Sequence, residues 1–438
     1  MKRYITLMIA LVAATSLQAQ NIPGQTLNLS LQECRQMALE NNETLKTAGN
    51  AVERSNLDRQ IAFAQYLPKI DASLTGLYMK DQDIIALTLQ TRGAYLAGVN
   101  ITLPLYTGGR IKAANRLAKI GQAVSEEMLR KARMQVIADV DNAYYTLISV
   151  SSKVEMLEAY SRQMQGLYDQ VKLGVDVQMA TSNDLLRITT KQNEILYMLQ
   201  KARNGKQLCQ LALANAIGTD FDKTIVPTDT SLVFCSASGL SEDLTLSPDI
   251  TLLKQKVLAS EAQVMNARAN YLPTIAVVGS YSHYDNIKIK GDFGTLGNIP
   301  LQFNRTLSGG SPYALLSVQV PIFHWGAEFK KVKKAKLDYQ DSQLQLQQYE
   351  RAISIAVRQA VLNINDGKAM LETADFGQQQ ADENLRVMRE KFDNQLCTLT
   401  DMLDAQSQWQ QARSNFIEAQ TQLKIYETEY LRITGRLE

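Results

Sequence analysis

The side chains that could carry acid–base or nucleophilic chemistry are few and scattered. The chain has only two histidines, His283 and His324, and neither lies in a His-Glu-x-x-His pattern or near a nucleophile motif. The run Gly291-x-x-Gly294-x-x-Gly297 lacks the lysine and the strand-to-helix context of a phosphate-binding loop. The sequence therefore predicts no catalytic site, no metal site and no bound cofactor, and we do not expect an enzyme.

Cysteine spacing and net charge exclude two further classes. The four cysteines, Cys34, Cys209, Cys235 and Cys397, lie far apart and form no Cys-x-x-Cys pair. We expect no disulfide framework, because such frameworks belong to much smaller domains than this chain of 438 residues. The formal net charge of +2 argues against a nucleic-acid-binding protein.

Acidic residues with a defined spacing occur at two places. Thr181-x-x-Asp184 and Thr398-x-x-Asp401 both have the form of a helix capping box, which satisfies the first backbone N–H groups of a helix. Asp404 follows Asp401 by three positions, so one helical face presents both carboxylates. Capping accounts well for Asp184 and Asp401, but less well for Asp404.

A predicted export signal precedes, in the sequence, the helices and strands that position these residues. Lys2 and Arg3 precede an apolar run at 5–14 that is too short to span a bilayer, and Ala19 suits the position before a cleavage site. We expect residues 1–19 to be a signal peptide. No later run of about 18 apolar residues occurs, so no transmembrane helix is expected.

The remaining chain contains an internal duplication. Two motifs occur once in each half: Tyr66-Leu67-Pro68 with Tyr271-Leu272-Pro273, and Leu103-Pro104-Leu105-Tyr106 with Val320-Pro321-Ile322-Phe323. We expect a first structural repeat at 20–218, a linker or equatorial segment at 219–246 and a second repeat at 247–438. Each repeat predicts a helix, two strands, a very long helix, a turn and another helix. A duplication of this size suggests a protomer that contributes the same unit twice to a ring.

Period-two alternation predicts strands at about 66–78, 95–106, 271–284 and 313–323. One face of each strand is apolar and the other is small and polar. In an outer-membrane barrel the apolar face meets lipid and the polar face lines the lumen. The connections, at about 79–94 and 283–312, predict long loops.

Four strands cannot close a barrel. The smallest single-chain barrels have eight strands, and an open edge cannot face lipid. The chain is therefore expected to oligomerise. Two copies give eight strands and a filled interior, whereas three give twelve strands and room for a pore.

The proline-free segment 326–391 predicts one helix of about 65 residues, about 100 Å long. Its apolar seam follows the heptad spacing of a coiled coil. The seam residues are Tyr349, Ile353, Ala356, Ala360, Ile364, Gly367, Leu371, Ala374, Gln378, Ala381, Leu385, Met388 and Phe392. Five lysines lie between 330 and 336, and they predict either a solvated face or contact with anionic lipid head groups at the inner leaflet.

Over essentially the whole mature chain, this pattern resembles the TolC-like outer-membrane efflux proteins. The resemblance is carried by the duplicated Tyr-Leu-Pro and Pro-x-x-x-x-Gly motifs, by Phe392 followed by Asp401-Met402-Leu403-Asp404-Ala405-Gln406, and by the ending Leu431-x-x-x-Gly435-x-Leu437. It implies a mainly α protomer with four strands, which forms an α-barrel and a transmembrane β-barrel on trimerisation.

The resemblance also implies a function and partners. The implied function is an outer-membrane channel, with a periplasmic extension, of a tripartite efflux or type I secretion system. The implied partners are two further copies of the chain, a periplasmic adaptor, an inner-membrane transporter and outer-membrane lipid. Drugs, metals and proteins all remain open as cargo.

The resemblance assigns a periplasmic gate as well. Asp401 and Asp404 match the acidic rings that narrow the family's periplasmic entrance, where crowded like charges raise one another's pKa and favour cations. The matching inter-helix contacts are Asn183, Asp184, Phe392 and Cys397. Phe392 and Cys397 stand where the family has a tyrosine and an arginine, so the family's polar links are not expected here.

One competing class shares several of these features. A soluble periplasmic coiled-coil adaptor or scaffold would also have the export signal and the long helices. It would not need strands with one lipid-like face, nor a second matched pair of them. The paired strands therefore favour the channel.

Overall fold

The computed structural model describes residues 26–78, 80–84, 87–91, 93–229, 240, 245–296 and 299–437. The predicted signal peptide, residues 1–19, lies outside these described residues. So does much of the predicted linker, including Cys235. The described cysteines, Cys34, Cys209 and Cys397, are free thiols.

The protein is mainly helical, as the sequence predicted. The helices are α1 (Leu31–Asn41), α2 (Glu43–Ala64), α3 (Arg110–Asp176), α4 (Ser182–Ile217), α5 (Pro248–Ala269), α6 (Ala327–Asp393) and α7 (Leu399–Thr434). The strands are β1 (Thr26–Leu29), β2 (Lys69–Leu77), β3 (Gln82–Ile84), β4 (Leu87–Gln90), β5 (Ala94–Thr107), β6 (Thr224–Pro227), β7 (Thr274–Leu296) and β8 (Ile299–Gln319).

The helices of the two halves match in length. Helices α3 and α6 have 67 residues each, and α4 and α7 have 36 residues each. Both α4 and α7 end at a glycine with positive φ, Gly218 and Gly435, the usual way to stop a helix. The 67-residue helices are about 100 Å long at 1.5 Å per residue. The predicted long helix is therefore confirmed, within two residues at its C-terminal end.

The chain divides into two compact units. The first, the helical unit, comprises Met1–Gly49, Met128–Ile250 and Glu350–Glu438. The second, the sheet unit, comprises Asn50–Glu127 and Thr251–Tyr349. Several helices contribute residues to both.

In the helical unit, the predicted seam of α6 is confirmed as its inward-facing side. Ile353, Ala360 and Ile364 are buried, and most other seam positions are half-buried. Val357, which the heptad reading omitted, is also buried. A heptad repeat drifts slowly around a straight helix, so a wider stripe than one seam becomes covered.

Polar contacts near the middle of α3 stabilise the helical unit. The carboxylate of Asp141 is fully buried and accepts two hydrogen bonds from Arg35, of 2.7 and 2.6 Å. Nearby, β1 pairs in parallel with β6. The hydroxyl of Tyr144 lies 2.9 Å from a carboxylate oxygen of Asp229 and 3.1 Å from the carbonyl oxygen of Leu29. Burial and the Asp229 carboxylate raise the pKa of Tyr144, so its hydroxyl remains a donor.

In the sheet unit, the strands β2, β5, β7 and β8 form an antiparallel sheet in that spatial order. Strand β4 pairs with the far end of β7, and β3 pairs with β4. The first predicted connection, about 79–94, thus contains short strands.

The predicted loop at about 283–312 is wrong, because β7 and β8 continue as a paired hairpin through most of it. The sequence carried the signal: Ile287 and Ile289 alternate with Lys288 and Lys290. Glycines at five positions of this segment obscured that alternation.

The other strand boundaries also differ from the prediction. Strand β8 begins at Ile299 and ends at Gln319, whereas the prediction was 313–323. Pro321 has no N–H group to donate to a ladder, which accounts for the earlier end. Strands β2 and β7 begin just after Pro68 and Pro273, because Tyr66 and Tyr271 lie in turns that follow helices.

Two fully buried tyrosines of the helical unit make a matched stability test. Within the described residues the hydroxyl of Tyr160 has no hydrogen-bond partner, whereas that of Tyr144 does. We expect Tyr160→Phe to stabilise the protein by about 1 kcal/mol, since it removes an unsatisfied buried group. Tyr144→Phe should destabilise it by about 1 kcal/mol, since it removes the hydrogen bonds from the hydroxyl to Asp229 and Leu29. Thermal unfolding of the detergent-solubilised protein measures both, and a loss of stability in Tyr160→Phe would contradict the assignment.

Candidate functional site

The first candidate site is the two-sided sheet of the sheet unit. Residues paired across antiparallel strands point to the same face. The register places three mostly apolar rows on one face: Ile70–Ile101–Gly279–Ala314, Ala72–Val99–Tyr281–Pro312 and Leu103–Val277–Leu316. The other face carries two mostly polar rows: Asp71–Asn100–Ser280–Tyr313 and Ser73–Gly98–Ser282–Ser311. The predicted alternation therefore holds across four strands.

The apolar face is exposed in the single chain. The side chain of Leu74 is 76% exposed and that of Leu316 is 63% exposed. Exposed apolar surface of this extent marks a contact with lipid or protein. On the polar face, Ser280 donates a 2.6 Å hydrogen bond to the side chain of Asn100. His283, in β7, pairs with Ala97 and Gly310 and has no catalytic neighbour among the described residues.

The sheet is open at both sides. Among the described residues, β2 pairs only with β5, and β8 pairs only with β7. Each outer edge therefore presents a row of backbone N–H and C=O groups without a partner strand.

The second candidate site comprises two helix-to-helix turns of the helical unit. One turn, residues 177–181, joins α3 to α4, and the other, residues 394–398, joins α6 to α7. Both turns contain a glutamine with positive φ, Gln178 at 62° and Gln395 at 60°. The residue after each glutamine, Met179 or Leu396, donates its backbone N–H to a carbonyl oxygen of the preceding helix at 2.7 Å. The two turns therefore have the same construction.

Each turn leads into a capped helix, as the sequence predicted. The hydroxyl of Thr398 donates to Asp401 at 2.6 Å, and the amide of Asp401 donates back to that hydroxyl at 3.2 Å. Thr181 and Asp184 repeat the arrangement at 2.7 and 3.1 Å. Asp184 and Asp401 are thus helix caps in the single chain.

The Thr398 hydrogen bonds lower the pKa of Asp401. A lowered pKa means that the ionised carboxylate is preferred in the folded chain. The cap therefore contributes stability above the ordinary aspartate pKa, and that contribution is lost as pH falls through the lowered pKa.

Asp404 and Asn183 lie on the exposed surface near these caps. Asp404 makes no hydrogen bond or ion pair within the described part of the chain. The helices that follow the two turns, α4 and α7, are joined instead by Arg187, whose guanidinium donates a 2.6 Å bond to the hydroxyl of Thr400. This contact was not predicted from the sequence. The constant offset between the halves makes Arg187 the counterpart of Asp404, which marks the position but does not identify its partner.

The remaining predicted residues pack inward rather than forming polar links. The ring of Phe392 joins an apolar cluster with Leu399, Met402, Tyr160 and Ile188. This cluster draws on α3, α4 and α7 as well as α6. A phenylalanine suits this position, because its ring packs in the apolar cluster without placing a hydroxyl group there.

Cys397 is half-buried, and its thiol donates a weak 3.6 Å bond to the carbonyl oxygen of Met388. Burial, then the Asp401 charge, raises the pKa of the Cys397 thiol. A neutral thiol there cannot replace an arginine as an ion-pair partner.

Two properties of the described residues bear on other kinds of site. No cluster of three or more metal-ligating side chains occurs among them. Within the same residues, each helix is too polar or too short for a membrane span.

Comparison with known proteins identifies the class of protein to which these sites belong. The family model described as "Outer membrane efflux protein" matches residues 34–219 and 239–436. The chain therefore belongs to the outer membrane efflux protein family.

Individual relatives agree over most of their length. The solvent efflux pump outer membrane protein SrpC of Pseudomonas putida is 25% identical over 389 residues, which cover 84% of this chain and 77% of that protein. The outer membrane protein OprJ of Pseudomonas aeruginosa is 24% identical, covering 91% of this chain and 82% of that protein.

Two solved structures share the fold. CusC superposes with a TM-score of 0.78 at 17% identity, covering 96% of this chain and 95% of that chain. The Campylobacter jejuni CmeC outer membrane channel superposes with a TM-score of 0.77 at 21% identity, covering 93% and 86%.

Family membership decides between the classes that the sequence left open. The protein is an outer membrane efflux channel with a periplasmic extension, and it is neither a soluble adaptor nor an enzyme. The apolar face of its sheet is accordingly the face expected to meet lipid.

Proposed function

We propose that three copies of the chain form one continuous channel, in which twelve strands close a β-barrel around a pore. The observation that carries this proposal is the sheet with one apolar face and two open edges. Unpaired backbone groups cannot face lipid, so β2 of one copy must pair with β8 of the next. Such a head-to-tail contact closes into a ring. Two copies would leave too narrow a barrel for a pore.

Neighbouring residues on β8 give a matched test of this arrangement. We expect Leu316→Arg to impair trimer formation in membranes, because arginine on the lipid face of the sheet is destabilising, by an amount that falls from about 2–4 kcal/mol at the bilayer midplane toward the interfaces. Ser317→Arg points to the opposite, pore-lining face and should still give trimers, with altered single-channel conductance.

Native mass spectrometry counts the copies, and planar bilayers measure the conductance. Equal tolerance of both substitutions, or a monomer that carries no current, would contradict the trimeric channel.

We propose further that the channel works in a tripartite pump with a periplasmic adaptor and an inner-membrane transporter. The support is that SrpC and related proteins are named as outer membrane components of efflux pumps. A passive conduit that ends in the periplasm needs a partner to supply energy and cargo. Small apolar organic compounds are the cargo class that we propose, because the matched relatives serve pumps for solvent, toluene or antibiotics.

Disruption of the gene in its own host tests the cargo. We expect greater sensitivity to toluene and to apolar antibiotics, restored by the native chain but not by Leu316→Arg. Sensitivity to copper salts should not change. The opposite pattern, with copper sensitivity alone, would reject organic compounds as the cargo.

We propose that the two helix-to-helix turns form the periplasmic gate, with Asp401 and Asp404 as its acidic rings. Their support is position: both lie on the first turns of α7, next to the contact between Arg187 and Thr400. Around a three-fold axis, three copies bring six carboxylates together, which favours cations. Asn183 and Asp184 flank the same entrance, and Phe392 and Cys397 support it through packing.

Neutralising both rings should weaken block of the channel by multivalent cations. We expect the double substitution Asp401→Ala with Asp404→Ala to reduce that block in planar bilayers, because the carboxylates that attract the cation are gone. Asp338→Ala with Asp341→Ala is the matched control, since it removes an exposed acidic pair with the same spacing from α6.

Thr398→Ala separates gating from capping. It removes the cap but keeps both carboxylates, so cation block should persist. If Thr398→Ala reproduces the effect of the double substitution, the residues act as caps only.

A further inference from the structure

The junction between β8 and α6 carries an exposed surface that the channel function leaves unexplained. We call it the aromatic–lysine surface, and it consists of Ile322, Phe323, Trp325 and Phe329 with Lys330, Lys331, Lys333, Lys334 and Lys336. Ile322 is 92% exposed and Trp325 is 85% exposed, which is unusual for large apolar side chains. The rings of Phe323 and Trp325 lie 5.1 Å apart. This cluster and the five lysines are adjacent along the chain.

The backbone at Trp325 is strained. Its φ is 53°, in the left-handed region that bulky residues rarely adopt. The first half of the chain holds Gly108 at the corresponding position, with φ of 64°. A Cβ at Gly108 would lie 2.6 Å from the carbonyl oxygen of Ala269, so only glycine fits there. The second half thus places a tryptophan where glycine would be less strained, and the ring projects into solvent. Strain of this kind points to a functional reason.

The lysines are also placed at an electrostatic cost. Lys330 lies in the first turn of α6, where the helix dipole disfavours positive charge, and the other four follow within the next two turns, where they repel one another. Among the described residues, only Lys331 of the five forms an ion pair, with Glu328 at 2.9 Å. The corresponding start of α3 is basic too, with exposed Arg110 and Lys112. Both halves therefore present positive charge at the same point, just beyond the strands.

The position of the surface identifies its partner. The apolar rows of the sheet end at Val318 in β8, and Ile322 continues the exposed apolar surface four residues later. The surface extends from the end of β8 into the first turns of α6, so we place it at the boundary between the lipid-facing sheet and the periplasm. Exposed tryptophan and phenylalanine rings are favoured at such a boundary, and clustered lysines next to it attract anionic head groups.

We propose that the aromatic–lysine surface binds the anionic phospholipids of the inner, periplasmic leaflet of the outer membrane. The rings enter the boundary between head groups and acyl chains, and the lysines contact the phosphates. The chemistry recognised is a phosphodiester head group with net negative charge, such as phosphatidylglycerol. This inference rests on the proposed trimeric channel for the orientation of the sheet.

Tryptophan fluorescence tests the contact directly. The chain has two tryptophans, so Trp409→Phe leaves Trp325 as the only one. In vesicles of phosphatidylcholine and phosphatidylglycerol, brominating one lipid at a time reports which lipid quenches Trp325. We expect stronger quenching by the brominated phosphatidylglycerol, and a preference that falls in high salt because screening weakens head-group attraction.

Charge removal tests the role of the lysines. Lys330→Gln, Lys333→Gln and Lys334→Gln together should lower the preference for phosphatidylglycerol by about five-fold for each lysine. The matched control is Lys172→Gln, Lys201→Gln and Lys391→Gln, which removes three exposed charges from the helical unit and should leave the preference unchanged. Trp325→Gly, made in the native background, should retain fewer phospholipids per trimer in native mass spectrometry.

Three results would overturn the proposal: no quenching of Trp325 by either brominated lipid, an unchanged preference in the triple lysine variant, or an equal loss in the control. The lysines could instead pair with acidic residues of a neighbouring copy. In that case the triple variant would lose trimer stability in lipid-free detergent while its lipid preference stayed constant, which also rejects the proposal. If the triple variant still forms trimers and conducts normally, the proposed channel holds. An unchanged lipid preference then contradicts the lipid-binding proposal alone.

Discussion

Backbone hydrogen bonding in lipid is the constraint on which the rest of this protein depends. A membrane interior offers no water to an unpaired N–H or C=O group, so a sheet that faces lipid must have no free edge. The sheet has four main strands, and within the described ranges the outer sides of β2 and β8 have no partner strand. We infer that a single copy is not the functional form of this sheet, because its backbone edges need partner strands whatever side chains they carry.

The two halves of the chain share their helix lengths and turns but differ in side chains at several equivalent positions. The helices after the strands correspond residue for residue, from Arg110 and Ala327 onward, and both final helices end at an equivalent glycine. At equivalent positions, however, the halves carry different chemistry. Gly108 corresponds to Trp325, and Arg187 corresponds to Asp404. The backbone geometry is preserved at these places while the side chains differ, so the differences indicate functions that one half alone carries.

The sequence predicted the parts that follow from a regular period. The long helix α6, its heptad seam and the two faces of the strands were all visible, because each depends on spacing that one segment contains. The part of the β7–β8 hairpin beyond Tyr284 was missed, because glycines interrupt the alternation there. This part of β7 also pairs with β4, about 200 positions earlier in the chain. Strand formation of this kind depends on cross-strand neighbours, and the local sequence indicates it only weakly.

The candidate gate shows the same limit. Both capping boxes were predictable, since a cap joins residues only three positions apart. The bond from Arg187 to Thr400 joins helices more than 200 positions apart and could not be derived from spacing within either half. The absence of polar links at Phe392 and Cys397 stays a prediction from residue type, and the packing of Phe392 became clear only from its shared cluster with α3 and α4.

The two aspartates of the proposed gate differ in what their carboxylates are free to do. Asp401 accepts hydrogen bonds from the amide and hydroxyl of Thr398, and these bonds hold its pKa low. Crowding by like charges around a three-fold axis would act in the opposite direction and raise it. The cap therefore helps to keep Asp401 ionised within a ring, and it fixes the direction of that carboxylate. Asp404 is exposed and has no such bond among the described residues, so its carboxylate can turn toward a passing ion. We infer that Asp401 supplies a fixed charge at the entrance and that Asp404 is the group that contacts the cation.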